Sequence, residues 1–309
     1  MDFVHMPVMA KEVKEFLVPP SDENPLMVDC TTGEGGHTHM MLESIPNLKV
    51  IGLDCDKHIQ EKAKFRMKEF GERFIPIHTW FDEYFDNYDG EKLDLVLIDL
   101  GISIFHYEES NRGFSFKKEE RLDMRLNDES ELTAQMVVNT YKEVDLANLI
   151  YKFGEERYSR RIAKAICEAR RLKPIDSSSE LENIIFKCVP QNYKHGRIHP
   201  ATRTFQALRI EVNNELDRIE NTIINASKAL KVGGRMAIIS FHSLEDRIVK
   251  WTFKNLAKGC SCPPEAMRCT CDTKALVKIL TKKPIIASDE ENKINPPSRS
   301  AKLRVIERI

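Results

Sequence analysis

A short apolar segment that ends in an acid and leads into a glycine-rich turn constrains the fold of this chain more than any other feature. Residues 26–29 have the pattern of a buried strand, and glycines at 33, 35 and 36 follow before helical spacing begins at Thr38. Glycine allows a positive φ and a close approach of the backbone to a ligand. The pattern therefore predicts a nucleotide-like ligand over the end of the first strand of an open α/β sheet.

A second apolar run, residues 50–53, ends in Asp54. An acid at this distance beyond the glycine turn is where such folds hold ribose hydroxyls. The glycine spacing departs from the dinucleotide pattern, and Glu34 in the turn would repel a pyrophosphate, so a dinucleotide oxidoreductase is disfavoured. S-adenosylmethionine carries a ribose and a cationic sulfonium but no phosphate, and it fits this turn better.

Strands and helices alternate through the first hundred residues, which indicates a parallel sheet. The pattern is then helical from residue 103 to 199, and one long helix at 203–230 is expected to lead back to a fifth strand at 236–241. The sequence thus predicts an α/β fold of the class I, Rossmann-like kind with an inserted all-helical domain. The expected bounds are 1–104 and 203–309 for the two parts of the sheet domain and 105–202 for the insertion.

The sequence has neither of the patterns expected of a membrane-spanning or a secreted protein. The 309 residues contain no apolar run of the length that a membrane span requires, and the first residues lack the pattern of a signal peptide. We therefore expect a cytoplasmic protein with no membrane partner. The formal net charge of −1 does not exclude a positively charged face that binds RNA. The sequence leaves the oligomeric state open.

Four of the eight cysteines are clustered, at Cys260, Cys262, Cys269 and Cys271. Four thiolates can close a tetrahedral structural zinc site, which would stabilise a segment with little core of its own. The alternative is a loop of reduced thiols without a metal. Paired C-x-C spacing does not decide between these two interpretations.

Polar residues follow two of the predicted strands at the edge where an open α/β sheet binds its ligand. Asp99 and Ser103 follow the fourth strand and His242 follows the fifth. This position places Asp99 and Ser103 near a reacting centre, and His242 there can orient a base or shuttle a proton. The alternative for each is a structural one, because Asp and Ser often cap turns and helices, and residues 243–246 have the pattern of a helix start.

Basic residues recur in the helical segment in patterns that suit RNA. Arg112 is interleaved with Phe114 and Phe116, which can stack on bases or stabilise a loop over a cofactor. Residues 157–164 place four cations on one helix face, which can follow a phosphate backbone or remain solvated. Arg203 lies among further cations at a helix start, where an anion or RNA contact is favoured.

Together these blocks resemble one family, the RsmH (MraW) ribosomal RNA small-subunit cytosine-N4 methyltransferases. The resemblance spans nearly the whole chain in the expected order. It is carried by the sequence blocks at 5–8, 33–37, 99–103, 112–116, 122–125, 154–157, 199–209, 239–247 and 295–304.

The resemblance implies a class I enzyme that uses S-adenosylmethionine to methylate the exocyclic N4 of a cytidine in the decoding centre of 16S rRNA, within the small ribosomal subunit. It also implies the cofactor contacts, which would be Gly35, Gly36, His37, Asp54, Phe81 and Asp99. His106 stands where the family has a glutamine that contacts the cofactor, and an imidazole can still make one such hydrogen bond.

Cytosine N4 is a weak nucleophile, so an acceptor beside it is needed, and Asp99 and Ser103 are the candidates. Arg112, Arg203 and His242 are the candidate RNA contacts. Two alternatives stay open: a methyltransferase that acts on another RNA or a protein, and a ribosome-assembly factor that binds RNA without catalysis.

Overall fold

The structure, a computed structural model, describes residues 6–21, 23–196, 198–259, 271 and 274–309. The chain divides into two compact units. Unit 1 consists of residues 1–102 and 216–309, and unit 2 of residues 103–215. Within the described residues, no helix has both the length and the apolar character needed to cross a membrane.

Unit 1 is built on one mixed sheet with the strand order β3-β2-β1-β4-β5-β8-β6, in which β7 also pairs with β8. The first five strands are parallel, and β8 is antiparallel to its neighbours. The strands are β1 (Leu26–Asp29), β2 (Lys49–Asp54), β3 (Phe74–His78), β4 (Leu93–Asp99), β5 (Leu230–Ser240), β6 (Val277–Ile279), β7 (Ile285–Ile286) and β8 (Lys302–Arg308).

Helices cover both faces of this sheet, which is why β4 is buried at every residue except its last. One apolar cluster packs Val13, Met41 and Leu95 together, and another packs Val28, Val96 and Ile223. The helices of unit 1 are α1 (Ala10–Phe16), α2 (Gly36–Ser44), α3 (Lys57–Arg66), α4 (Phe81–Asp86), α12 (Asp217–Ala229), α13 (Ser243–Leu256) and α14 (Asp289–Ile294), with 3₁₀ turns at Lys68–Arg73 and Pro296–Ser300.

Unit 2 is helical, as the sequence predicts. Its helices are α5 (Ile104–Glu108), α6 (Ala134–Thr140), α7 (Glu143–Gly154), α8 (Ser159–Arg170), α9 (Ser178–Cys188), α10 (Gln191–Lys194) and α11 (Thr202–Asn213). Gly154 lies where α7 and α11 pack closely, since a Cβ there would approach the Arg203 carbonyl oxygen to 2.5 Å.

The single helix predicted for 203–230 is wrong: the structure has two helices, α11 and α12. Asn214 ends α11 in the left-handed conformation at φ 50°, which a helix cannot continue through. The second division between the units falls just after this break, at 215/216, whereas the sequence placed it at 202/203.

The fifth strand is also longer than predicted. It begins at Leu230 and runs through Gly233 and Gly234, which lie between the helix and the strand predicted from the sequence. The pairing with β4 shifts register between Leu93 and Leu95, so the two glycines lie at a strand irregularity.

Candidate active site

The strand order of unit 1 creates a crevice at the carboxyl ends of β1 and β4. From β1 the chain moves outward to β2 and β3 and then returns to add β4 on the other side of β1. Connections leave β1 and β4 in opposite directions, so no helix closes the gap between their ends. Side chains at these strand ends are therefore placed to meet a ligand.

The glycine turn joins β1 to α2 at this crevice. Gly35 precedes α2 with φ 81°, a conformation that disfavours any residue with a Cβ. Its N–H donates to the Thr32 carbonyl at 2.8 Å, which closes the turn. The start of α2 consequently lies directly beyond the end of β1.

Asp54, at the end of β2, is bonded to this turn. One carboxylate oxygen accepts the Gly33 N–H at 2.8 Å, and the other accepts the Asp56 N–H at 2.9 Å. The side chain is partly exposed. Its two backbone bonds fix the carboxylate plane, so the oxygens can accept ribose hydroxyls without first being ordered.

Asp99, at the end of β4, is the acid of the crevice whose pKa departs most from its ordinary value. Burial raises its pKa from 3.8 to about 7; a backbone bond from Gly101 opposes the rise, and the charges of Asp29 and Glu245 add to it. Among the described residues, its buried Oδ1 has no hydrogen-bond partner. A buried acceptor of this kind is costly unless a ligand donates to it.

His37, in the first turn of α2, lies beside Asp99. Its Nε2 is 2.9 Å from the Val8 carbonyl oxygen, which can only accept, so Nε2 carries the proton. Burial lowers the His37 pKa to about 4 despite this bond. The ring is therefore neutral, and its unprotonated Nδ1 faces Asp99 Oδ2 at 3.8 Å.

Asp29, at the end of β1, is an acid of this site that the sequence reasoning noted only as a strand end. It is 1% exposed, and its Oδ2 accepts the Thr38 hydroxyl at 2.7 Å. Burial raises its pKa to about 6. The charge of Asp29 makes ionisation of Asp99 less favourable, and the charge of Asp54 does the same to Asp29, because these strands end in acids at the same edge of the sheet.

Phe81 begins α4 just after β3 and packs into the apolar cluster that includes Leu53 and Phe85. It is 9% exposed. The neighbouring Trp80 ring is covered by the guanidinium of Arg218 at 4.0 Å, and Arg218 also bonds Asp82 at 2.6 Å. These contacts hold the start of α4 in place near the ends of β2 and β3.

His242, which the sequence offered as an RNA contact, caps helix α13. Its Nδ1 accepts the Glu245 N–H at 3.4 Å, and the Glu245 carboxylate in return accepts the His242 N–H at 3.2 Å, as well as the Phe241 N–H at 2.7 Å. The Glu245 side chain is buried, and the His242 side chain is 12% exposed. The structural role considered for His242 is therefore that of the N-cap in a reciprocal capping box.

The remaining predicted site residues belong to unit 2. The Ser103 hydroxyl accepts the Phe105 N–H at 3.2 Å and so caps α5. His106 is buried, and its ring lies edge to face with the Phe105 and Phe114 rings, at centroid distances of 5.5 and 5.3 Å.

Two predicted RNA contacts in unit 2 also make bonds within that unit. Arg112 donates to the carbonyl oxygens of Arg125 and Leu126 at 2.9 and 3.0 Å, which holds their loop. Arg203 donates to the Glu155 carbonyl at 2.8 Å, just after the end of α7.

The predicted zinc ligands Cys260, Cys262 and Cys269 lie outside the described residues. Cys271 is described and is partly buried. The four-cysteine zinc site stays a prediction.

A doubly wound sheet of this order, with acids rather than cations around its crevice, is suited to a nucleoside without phosphates. The fold and the site define the class I methyltransferases, which use S-adenosylmethionine.

Within that class the chain belongs to the MraW methylase family, whose family model matches residues 2–309. Curated relatives agree along the whole chain. Ribosomal RNA small subunit methyltransferase H of Treponema denticola is 54% identical over 100% of this chain and 98% of its own length. The protein of the same name from Clostridium botulinum strain 657 is 44% identical over 100% of both chains, and that from Sulfurihydrogenibium sp. is 46% identical over 99% of both. The family predicted from the sequence blocks is confirmed.

Proposed function

We propose that this protein transfers the methyl group of S-adenosylmethionine to the exocyclic N4 of a cytidine in the decoding centre of 16S rRNA. The observation that carries the proposal is the full-length match to the MraW methylase family, together with relatives named as ribosomal RNA small subunit methyltransferases. We infer that the reaction takes place in the cytoplasm, where small ribosomal subunits are assembled.

The crevice of unit 1 fits the cofactor on two grounds. Asp99 has a buried acceptor atom without a protein partner among the described residues, and Asp54 presents an oriented carboxylate at the end of β2. The cofactor supplies an electrophilic methyl group on a sulfonium. The residues proposed to hold it are Gly35, Gly36, His37, Asp54, Phe81, Asp99 and His106.

Asp99 is the residue best suited to receive the proton from cytosine N4. The N4 lone pair is conjugated with the ring, so N4 becomes nucleophilic only as its proton is drawn away. With the cofactor bound, its methyl group would pass to N4, its sulfur would keep the electron pair of the broken bond, and the Asp99 carboxylate would receive the N4 proton. A group whose pKa is about 7 is effective at this near neutral pH.

The neutral His37 supports this role of Asp99. Its proton is committed to the Val8 carbonyl, so it neither donates to the Asp99 carboxylate nor supplies a positive charge that would lower the Asp99 pKa. Ser103 is the second catalytic candidate, as a hydroxyl that orients the amine. Arg112, Arg203 and His242 remain the proposed RNA contacts, since the target base must leave its stack to reach the crevice.

The test uses small subunits from a strain that lacks this enzyme. Incubation with the protein and S-adenosylmethionine, followed by nuclease digestion and mass spectrometry of the nucleosides, should yield N4-methylcytidine at one decoding-centre position. The Asp99→Asn variant is the matched control, and at saturating S-adenosylmethionine it should form this product roughly 10²–10⁴ times more slowly. Methyl groups on another nucleotide or on a ribosomal protein would refute the substrate, and tight cofactor binding without any transfer would indicate an assembly factor.

The same assay on naked 16S rRNA shows whether the enzyme acts on free rRNA or on assembled small subunits. We expect transfer to assembled subunits, because the decoding centre is a folded structure that presents its bases in a fixed geometry. The proposed zinc would be structural, so a chelator should lower the thermal stability without changing the site of methylation.

A further inference from the structure

Unit 2 carries a basic surface that the proposed chemistry does not use. It lies at the start of α8 and on the neighbouring α10, and we call it the α8–α10 surface. Its members are Arg157, Tyr158, Arg160, Arg161, Tyr193 and Lys194.

A stacked cation and two aromatic rings form the centre of this surface. The Arg157 guanidinium lies 4.9 Å from the centroid of the Tyr158 ring and 5.0 Å from that of Tyr193. The two rings meet edge to face at 4.9 Å. Contact with both rings orients the Arg157 guanidinium while the residue remains exposed.

A buried acid fixes this arrangement without neutralising its outer face. Glu156 is 0% exposed, and it accepts the Tyr193 hydroxyl at 2.5 Å and the Tyr158 N–H at 2.8 Å. The bond to Glu156 adds to burial in raising the Tyr193 pKa to about 12, and the charges of Arg203 and Arg157 oppose that rise. The positive charge of Arg203 therefore also favours ionisation of the Tyr193 hydroxyl.

The arginines of this surface lack the carboxylate partners that two lysines of unit 2 have. Lys164 and Lys173 lie 3.8 and 2.8 Å from carboxylates. Within the described residues, no carboxylate oxygen lies within 4.0 Å of Arg157, Arg160 or Arg161, although all three side chains are exposed.

The position of Arg160 and Arg161 is also unfavourable for the stability of α8. They are the second and third residues of the helix, where the partial positive charge of the helix end favours acids. Unpaired cations held at an unfavourable position indicate that their partner is an anion outside this chain.

We propose that the α8–α10 surface binds the sugar–phosphate backbone of a single-stranded RNA segment. Guanidinium groups pair with phosphate oxygens through two parallel hydrogen bonds, and aromatic rings interleaved with them are typical of surfaces that follow single strands. The inference deepens the proposed function and rests on RNA being the substrate. It assigns to unit 2 a surface that holds the RNA independently of the residues around Asp99.

The test measures RNA binding rather than methylation. The probe is a short oligouridylate labelled for fluorescence anisotropy, titrated over a series of salt concentrations. The double variant Arg160→Glu/Arg161→Glu should weaken binding about tenfold and lower the slope of log affinity against log salt by about 1.4, which is about 0.7 for each phosphate that the protein then leaves unneutralised. Because acids suit the first turn of a helix, this variant should keep its fold, and circular dichroism checks this.

Arg171→Glu is the matched control. It makes one such Arg→Glu exchange, half the charge change of the double variant, on an exposed arginine at the other end of α8, and it should leave the affinity and the salt slope unchanged. Calorimetry should give the same affinity for S-adenosylmethionine in all variants.

Unchanged RNA binding by the double variant would overturn the inference. So would normal binding combined with poor methylation of assembled subunits, since that would identify a ribosomal protein as the partner. Loss of the proposed function itself would appear differently, as a wild-type protein that binds the probe but makes no N4-methylcytidine.

Discussion

Replacing Asp99 by asparagine should make the protein more stable and less active, and the gain in stability should depend on pH. Folding raises the pKa of this carboxyl from 3.8 to about 7. A rise of about three pKa units corresponds to about 4 kcal/mol. The Asp99 side chain is 21% exposed, so water screens part of this penalty, and we expect about 2 kcal/mol at pH 8.

The sign follows from which state holds the proton. The unfolded chain releases the Asp99 proton near pH 4, whereas the folded protein keeps it until about pH 7. The contribution of the Asp99 carboxyl to the free energy of unfolding of the wild type is therefore fully present below about pH 4, and it is lost as the pH rises to about 7. Asparagine cannot ionise, so the variant avoids that loss.

Urea unfolding of both proteins at several pH values measures the difference. The advantage of Asp99→Asn should grow by about 1–2 kcal/mol between pH 5 and pH 8. A difference that stays flat over this range, or that favours the wild type at pH 8, would refute the assignment of a raised pKa to Asp99.

The same carboxyl sets the pH dependence of the proposed reaction. Only the ionised form accepts a proton, so the rate of methyl transfer at saturating substrates should rise about tenfold per pH unit up to about pH 7 and then level off. Asp99→Asn should lower the rate by roughly 10²–10⁴ and abolish this rise. Single-turnover measurements make the comparison, and a wild-type rate that falls as pH increases would contradict the role of Asp99 as the acceptor.

Three further substitutions probe the scaffold of the site. Asp54→Ala should weaken S-adenosylmethionine binding in calorimetry by about 1–3 kcal/mol, because a hydrogen-bonded charged acceptor is removed, and unchanged affinity would remove Asp54 from the site. Gly101→Ala should lower the free energy of unfolding by about 1–3 kcal/mol because its Cβ would lie 2.6 Å from the Phe241 ring. Gly259→Ala, where no atom of the described residues lies within 4 Å of the added Cβ, is the neutral control. Asn214→Ala should destabilise by about 1 kcal/mol and Asn214→Gly should not, because Asn214 has φ 50°; equal losses would exclude this backbone explanation.

Local sequence patterns were sufficient to predict the sheet of unit 1 as far as β4. Each parallel strand is a continuous apolar run, and the acids that end these runs fall at the predicted edge because the strands are parallel. The same logic located Asp54 and Asp99 at the crevice, since each follows directly from a strand end. The helical nature of unit 2 followed from the absence of such runs.

What the sequence missed depends on contacts between distant segments. The break at Asn214 lies inside an apolar periodicity that continues on both sides, so the pattern alone suggests one helix. The extension of β5 back to Leu230 depends on the pairing of Leu230 with Leu93 in β4, and Gly233 and Gly234 lie at the irregularity between this pair and the pair of Arg235 with Leu95. The tautomer of His37, with its proton on Nε2, depends on a carbonyl group 29 residues earlier in the chain.

The antiparallel strand β8 has a consequence for how a newly made chain acquires this fold. It lies between β5 and β6 in the sheet, although it follows both of them along the polypeptide. During translation, residues 103–215 emerge early and have all their own packing partners at hand. The sheet of unit 1 stays incomplete until residue 308 has left the ribosome, so a stalled nascent chain should contain a folded helical unit beside an open-edged, aggregation-prone sheet.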